Sequence, residues 1–242
     1  MRGFILLLLA ALAGLAHAQG AVTSVCYNYG CASEGLVVID PARLAQAGET
    51  LALAHDAAAE RDAIAHVIGD FYRIAGEQTP VRADRGGNFA DQEVEGRMDC
   101  IDHSTSTTRL LHLLEDRGWL RFHRVDEPAR RTRVLFQHFS AVLEEIEPAA
   151  LPHEAGAPAV QAEPVPVPDY MAVMLAQCDC AEVLQDLHPA AAPAGAAAPE
   201  DAAPASQPGA RFVVDSWFVD NGEPAVVLPL ADWLDGEGPN VQ

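Results

Sequence analysis

The chain has 242 residues, of which 35 are acidic and 15 are basic, and its formal net charge is −20 at pH 7. Such an acidic surface excludes nucleic acid and anionic lipid as expected partners, because both carry negative charge that it repels. The length is enough for one domain of ordinary size together with some irregular sequence.

The first 18 residues have the pattern of a secretory signal peptide. Arg2 precedes an apolar run from Phe4 to Leu15, and a small-x-small cleavage site follows at Ala16 to Ala18. We expect cleavage after Ala18, because the apolar run is too short to span a bilayer. Later segments contain no uninterrupted apolar run of about 18 residues. We therefore predict a periplasmic or secreted protein that is not an integral membrane protein.

Residues 19–50 are predicted to form an irregular N-terminal arm with one short strand at 35–39. Residues 51–75 carry apolar side chains at three- and four-residue steps, which predicts a helix that ends near Gly76. Residues 81–99 are polar and contain glycine, so we expect a loop that leads into the next helix.

A second helix is predicted from Cys100 to Arg117, with Asp99 as its N-cap and Gly118 after its last turn. The downstream pattern predicts strands at 119–125, 133–146, 211–219 and 225–230, with polar turns at 126–131 and 220–222. Helices followed by an antiparallel sheet indicate an α+β domain built from residues 51–146 and 211–242.

Residues 147–210 interrupt this sheet with sequence rich in alanine and proline. Because such a composition buries little apolar surface, we predict an extended or disordered excursion. A candidate helix at 169–187 lies inside it and carries Cys178 and Cys180.

Five cysteines are present, and an odd number in an oxidising compartment leaves one thiol over. Cys26 and Cys31 flank a turn-rich tetrapeptide, whereas Cys178 and Cys180 flank a single residue. Each pair can close on itself or bond to the other pair, and the sequence leaves both schemes open. Either scheme makes Cys100 the unpaired thiol, unless all five cysteines are reduced.

Three segments bring together the residue types of covalent catalysis. Cys100 opens a predicted helix, and His138 and Asp215 lie on predicted strands. The helix start and a nearby imidazolium are expected to lower the pKa of the Cys100 thiol. His138 would act as base and then acid, and Asp215 would fix its tautomer. Taken singly, such a histidine is more often a core residue and such an aspartate a turn cap, so the prediction depends on their combination.

An oxyanion formed during attack needs hydrogen-bond donors. The backbone N–H of Cys100 is the expected first donor. In the preceding loop, Gln92 is the first candidate for a second donor, with Asn88 behind it.

Segments 99–102 (Asp-Cys-Ile-Asp), 138–142 (His-Phe-Ser-Ala-Val) and 213–215 (Val-Val-Asp) resemble the three motifs of the transglutaminase-like superfamily. The closest resemblance is to the bacterial transglutaminase-like cysteine proteinases, and it covers roughly residues 50–146 and 211–235. It implies a papain-like α+β fold, with N-terminal helices packed on an antiparallel β-sheet and a Cys-His-Asp triad.

The chain departs from that pattern at Met98, where glycine is usual, and at His103, where an aromatic residue is common. Asp99, Asp102 and His103 are expected to surround and support the site. Some members of the family depend on calcium, which Asp99 and Asp102 could help to hold. Because acids at a helix start are more often caps, we expect no metal and no cofactor.

The leading interpretation is an exported thiol hydrolase, a peptidase or amidase, that acts on an amide bond of a protein or peptide in the cell envelope. The alternative is a catalytically inactive transglutaminase-like module that binds an envelope protein. A third interpretation is a zinc site made by Cys100, His103 and His138, although two close ligands without a second pair are a weak zinc signal.

Overall fold

The computed structural model describes residues 20–87, 91, 93–133, 136–147 and 207–239. Some predictions concern positions outside the described residues: the signal peptide, Asn88, Gln92, the candidate helix 169–187, Cys178 and Cys180. The described chain is an α+β fold of four helices and two antiparallel sheets. None of these described helices is both long and apolar enough to cross a bilayer.

The N-terminal region is regular, so the prediction of an irregular arm over residues 19–50 is wrong for its described part. Strand β1, Ala21–Tyr27, pairs antiparallel with strand β2, Ser33–Ile39, and helix α1 follows at Pro41–Ala52. The Asp40 side chain accepts hydrogen bonds from two N–H groups of the first turn of α1. The sequence pattern misses β1 because two polar residues interrupt its apolar alternation.

Helix α2 spans Ala57–Gln78, so the helix predicted at 51–75 is correct in its centre and wrong at its ends. It starts late because α1 still occupies the first of those positions and Asp56 caps a new first turn. It continues past Gly76 and ends before a short 3-10 helix at Pro80–Ala83.

Helix α3 spans Cys100–Glu115, which confirms the predicted start at Cys100 with Asp99 as N-cap and places the end slightly before Arg117. Together α2, α3 and the larger sheet enclose one apolar cluster. Its buried members include Ile64, Ile68, Phe71, Leu110, Leu114, Ala141, Leu143 and Val214.

The larger sheet has four antiparallel strands in the order β3-β4-β5-β6. They are β3 His123–Arg133, β4 Phe136–Glu145, β5 Arg211–Asp215 and β6 Val226–Pro229. The predicted strand at 119–125 is correct only over 123–125, and the predicted turn at 126–131 is wrong, because β3 starts at His123 and runs through the supposed turn. Its register shifts between Asp126 and Ala129. This irregularity accommodates Pro128, because β3 is an edge strand with one side free of ladder bonds.

The long insertion predicted between two strands lies between β4 and β5, and the strands are paired where it leaves and returns. Glu144 pairs with Arg211, and the Gly209 N–H donates to the Glu145 carbonyl at 2.7 Å. The sheet therefore holds the two ends of the insertion side by side. Strand β5 stops at Asp215, sooner than predicted.

Helix α4, Leu230–Asp235, follows β6 and covers the sheet face turned away from α2 and α3. Its Trp233 is fully buried and forms a second apolar cluster with Val142 of β4 and Val213 of β5. Because side chains alternate along a strand, these positions face away from the first cluster. The sheet is thus covered on both faces near the end of β5.

A buried polar cluster joins α2 to the sheet. The His123 Nδ1 donates to Glu60 at 2.8 Å, and Arg61 donates to His123 Nε2 at 3.2 Å and to Glu145 at 2.9 Å. The other Glu145 oxygen accepts the Gln207 N–H at 2.6 Å. All of these charged groups are therefore paired, as burial requires.

Candidate active site

The start of helix α3 is fixed by reciprocal side-chain caps. The Asp99 carboxylate accepts the N–H groups of Ile101 and Asp102 at 3.0 and 2.9 Å. The Asp102 carboxylate in turn accepts the Asp99 N–H at 3.1 Å, which completes a capping box. Cys100 is the first residue of the helix and lies between these two acids.

A disulfide-closed loop packs against this helix start. The Cys26–Cys31 disulfide closes it, and four consecutive residues, 28–31, have positive φ between 56° and 67°. This left-handed run turns three N–H groups toward the helix. Those of residues 29 and 31 donate to Asp102, and that of Gly30 donates to Asp99. The disulfide confirms one of the two pairing schemes for these cysteines and is typical of an oxidising compartment.

Cys100 is a free, half-buried thiol, as the cysteine count predicts. Its Sγ lies 3.8 Å from the carbonyl oxygen of Gln137, the residue before His138 on β4. Helix α3 and strand β4 therefore bring the predicted nucleophile against the strand segment that carries the predicted base.

The electrostatics around the Cys100 thiol differ from the prediction. Burial raises its pKa above the ordinary value, and the charges of Asp99 and Asp215 raise it further. A backbone N–H contact from Phe139 opposes this rise without outweighing it. The expected lowering of the Cys100 pKa is therefore wrong: the net shift is upward, which favours the thiol over the thiolate.

His138 and Asp215 meet where β4 and β5 run side by side. The His138 Nε2 donates to Asp215 Oδ2 at 2.8 Å. That same oxygen accepts the Trp233 indole N–H at 2.9 Å, and Oδ1 accepts the Trp217 N–H at 3.2 Å. Asp215 is only 1% exposed, so these three donors replace the water that a buried carboxylate has lost.

Comparisons of the chain with models of known protein families, with curated proteins and with solved structures found no match.

Aromatic rings enclose the imidazole of His138. The ring centroids of Trp217, Phe218 and Trp233 lie 4.8, 5.5 and 5.5 Å from its own. Arg131 helps to hold Trp233 in place, because it donates to the Trp233 carbonyl oxygen at 2.6 Å. The rings restrict rotation of the imidazole, so that with Nε2 bonded to a carboxylate only Nδ1 remains to exchange a proton with a partner.

His103 is buried beneath the site. Its Nδ1 lies 2.8 Å from the Ser216 hydroxyl, and its Nε2 donates to Asp84 at 3.0 Å. Because both ring nitrogens are occupied, His103 cannot join Cys100 and His138 as a zinc ligand, and the zinc interpretation is not supported.

The two acids expected to support the site also do not fit a calcium ion. All four carboxylate oxygens of Asp99 and Asp102 accept backbone hydrogen bonds, six in total. A cation would have to displace these donors. The one grouping of potential metal ligands in the described chain joins Asp102 to Cys26 and Cys31, whose sulfurs are bonded to each other.

Sequence reasoning misses three contributors to this site. Trp233 donates to Asp215 from a helix that the sequence pattern does not indicate, and Asp84 and Ser216 bind the two nitrogens of His103. A tryptophan, which needs a partner for its N–H when buried, is the one signal that the sequence offered. The oxyanion candidates Gln92 and Asn88 lie outside the described residues and stay predictions.

Proposed function

We propose that this protein is a thiol hydrolase that cleaves an amide bond in a protein or peptide, with Cys100 as nucleophile, His138 as base and acid, and Asp215 as the group that orients the imidazole. The observation that carries the proposal is the hydrogen bond of 2.8 Å from His138 Nε2 to the buried Asp215 carboxylate. It leaves Nδ1 of His138 as the nitrogen that can exchange a proton. Gln137, the residue before His138, contacts the Cys100 sulfur through its carbonyl oxygen.

The raised pKa of Cys100 determines how the first step would proceed. Since the resting group is a thiol, His138 takes its proton as the sulfur attacks the substrate carbonyl carbon. Asp215 stabilises the imidazolium that results. The imidazolium then gives the proton to the leaving amine as the C–N bond breaks, and water hydrolyses the thioester.

The backbone N–H of Cys100 is the proposed oxyanion donor, because the first N–H groups of a helix have no partner inside the helix. The neighbouring first-turn N–H groups are taken by the Asp99 cap, while the cap itself keeps the turn rigid. A rigid donor is the arrangement that favours the charged intermediate.

The order Cys-His-Asp along a helix and two antiparallel strands supports a papain-like fold related to the transglutaminase-like cysteine proteinases. The departure at Met98 is compatible with this proposal. Its side chain is buried in the core, and its N–H donates to Asp84 at 2.9 Å. The core therefore has space for a side chain at this position, and the backbone N–H bond to Asp84 does not depend on which residue stands there.

We also propose that the protein is exported to the periplasm or secreted and that its substrate is an envelope protein or peptide. The Cys26–Cys31 disulfide supports an oxidising location. N-terminal analysis of the protein recovered from cells tests this: a chain that begins at Gln19 supports export, and one that begins at Met1 contradicts cleavage.

A second candidate is a binding module that has lost catalysis, and the raised thiol pKa favours it. The decisive experiment incubates the wild-type protein with a peptide library and follows new N-termini by mass spectrometry. Cys100→Ala and His138→Ala should abolish cleavage. His112→Ala, on an exposed part of the same helix, is the matched control and should cleave normally. Cleavage that survives in Cys100→Ala would refute the hydrolase, and a wild-type protein without turnover would favour the binding module.

A further inference from the structure

A chain of hydrogen-bonded side chains lies in the interior behind the candidate active site. It joins Tyr72 of α2, Thr107 and His103 of α3, Ser216 after β5, and Asp84 after the 3-10 helix. The successive distances are 3.0 Å from Tyr72 to Thr107, 2.9 Å from Thr107 to Ser216, 2.8 Å from Ser216 to His103 and 3.0 Å from His103 to Asp84. All five side chains are buried.

One end of this chain reaches the residues before the nucleophile. His103 Nε2 donates to one oxygen of Asp84, and the other oxygen accepts the Met98 N–H at 2.9 Å. Met98 lies two residues before Cys100. His103 is therefore linked through one carboxylate to the backbone that leads into the first turn of α3.

The same imidazole also reaches the residue after the orienting acid. Its Nδ1 bonds the hydroxyl of Ser216, which directly follows Asp215. Asp215 and Ser216 point to opposite sides of the chain, one toward His138 and the other toward His103. His103 thus connects the two segments that carry opposite ends of the proposed triad.

The donors in the chain have one consistent order when the imidazole is neutral. The Asp84 carboxylate can only accept, so His103 Nε2 carries the proton and Nδ1 accepts from Ser216. Ser216 then accepts from Thr107, and Thr107 accepts from Tyr72, whose hydroxyl also lies 3.3 Å from the His103 carbonyl oxygen. Burial raises the pKa of Tyr72 to about 12, which keeps its hydroxyl protonated as the first donor. Every hydroxyl donates once, so the chain is fully satisfied.

Ser216, His103 and Asp84 are hydrogen-bonded in the same order as the Ser, His and Asp of a serine-hydrolase triad. They do not form a second reactive site. Ser216 is 4% exposed and its hydroxyl is bonded on both sides. A substrate carbonyl has no approach to it. The arrangement must therefore act through its neighbours.

We propose that His103 is a positioning residue that holds the Cys100 turn and the Asp215 strand end in fixed relation. This inference rests on the proposed function for its catalytic meaning. The link through Asp84 sets the depth at which the Cys100 thiol is buried, and the link through Ser216 sets the direction of the Asp215 carboxylate.

Two variants separate the links. His103→Gln can place its amide N–H₂ near the Nε2 position, which keeps a donor for Asp84 and loses Ser216. His103→Asn can place its carbonyl oxygen near the Nδ1 position, which keeps an acceptor for Ser216 and loses Asp84. The readouts are the pH dependence of iodoacetamide labelling of Cys100 and, for any peptide that the wild-type protein cleaves, kcat and KM measured separately.

His123 provides the matched control, because it is also buried with both nitrogens bonded, but to Glu60 and Arg61. His123→Gln and His123→Asn should reduce the urea midpoint of unfolding by about as much as the two His103 variants do. They should leave the Cys100 labelling profile unchanged. They measure the general effect of removing a buried histidine.

We expect His103→Asn to release the Cys100 turn, so that the less buried thiol loses its proton at lower pH and is labelled about threefold to tenfold faster at neutral pH. His103→Gln should leave the labelling profile unchanged and lower kcat with little effect on KM. Equal profiles for His103→Asn and the wild type, or an equal shift in the His123 variants, would overturn the proposal. If the wild-type protein cleaves nothing, the hydrolase fails, and the labelling comparison still decides the role of His103.

Discussion

The substitution Asp215→Asn should move two measurable properties of the site in different directions. It keeps the side-chain shape, and its amide oxygen can take the Oδ2 position that accepts from His138 and Trp233. The amide N–H₂ then faces the Trp217 N–H at the Oδ1 position, where a donor meets a donor. The negative charge is lost, and one weak hydrogen bond is lost with it.

The first effect is on turnover. A hydrogen bond to a charged partner contributes about 1.5–3 kcal/mol, and the imidazolium of His138 exists only after Cys100 has given up its proton. Removing the Asp215 charge should therefore slow hydrolysis by about 10- to 150-fold. Loss of the Trp217 bond should lower the free energy of unfolding by about 1 kcal/mol.

The second effect is on the thiol itself. The Asp215 charge is one of the groups that raise the pKa of Cys100, so its removal should lower that pKa. The ionised thiol gains stability relative to the neutral one. Labelling by iodoacetamide should therefore reach its half-maximal rate at lower pH in Asp215→Asn than in the wild type. The exposed Asp62→Asn is the control for a loss of charge without contact to the site.

A shift of the labelling profile to higher pH would refute this reasoning. It would mean that Cys100 and His138 rest as a thiolate–imidazolium pair, which Asp215 stabilises through the imidazolium. Unchanged turnover in a folded Asp215→Asn protein would separately show that the Asp215 charge does not contribute to the reaction.

Three further outcomes follow from the contacts. Trp233→Phe removes one donor from Asp215 and should lower the free energy of unfolding by about 2–3 kcal/mol, measured in urea. Trp119→Phe, at a half-buried indole away from the site, is the control and should have a smaller effect. Serine at both positions of the Cys26–Cys31 disulfide should lower the free energy of unfolding by about 2 kcal/mol. It should also speed iodoacetamide labelling of Cys100, and an unchanged labelling rate would show that the disulfide-closed loop does not shield the thiol. If residues 148–206 are extended as their composition predicts, replacing them by a short Gly-Ser turn should preserve labelling and raise stability by about 2 kcal/mol, since closing a shorter loop costs less entropy. Failure of that deletion to fold would show that the removed residues contribute to the core.

The start of helix α3 could be predicted because its determinants are local. Asp99 caps the helix, and Asp102 returns the bond within the same turn. The residue types at positions 100, 138 and 215, in the order Cys, His and Asp, likewise predict a candidate triad directly from the sequence. Local signals are the ones that a sequence pattern reports reliably.

The remaining geometry depends on partners that are distant in sequence. Pro128 indicates a turn by its local preference, yet the edge position of β3 lets it lie within a strand. Strand β1 depends on pairing with β2 rather than on its own pattern. The thiol pKa was predicted with the wrong sign because burial and two carboxylates act at Cys100 in addition to the helix start.

The buried cluster of Glu60, Arg61, His123 and Glu145 has a consequence for how related chains can vary. Removing Arg61 breaks its buried ion pair with Glu145, and such a loss typically costs about 3–5 kcal/mol, whereas replacing the whole set by apolar residues is often close to neutral. Homologues should therefore keep all four residues or lack all four. The Gln207 N–H also binds Glu145 at the point where the insertion returns to the sheet. Homologues that keep these four residues should therefore also have an insertion that returns to the sheet at this place.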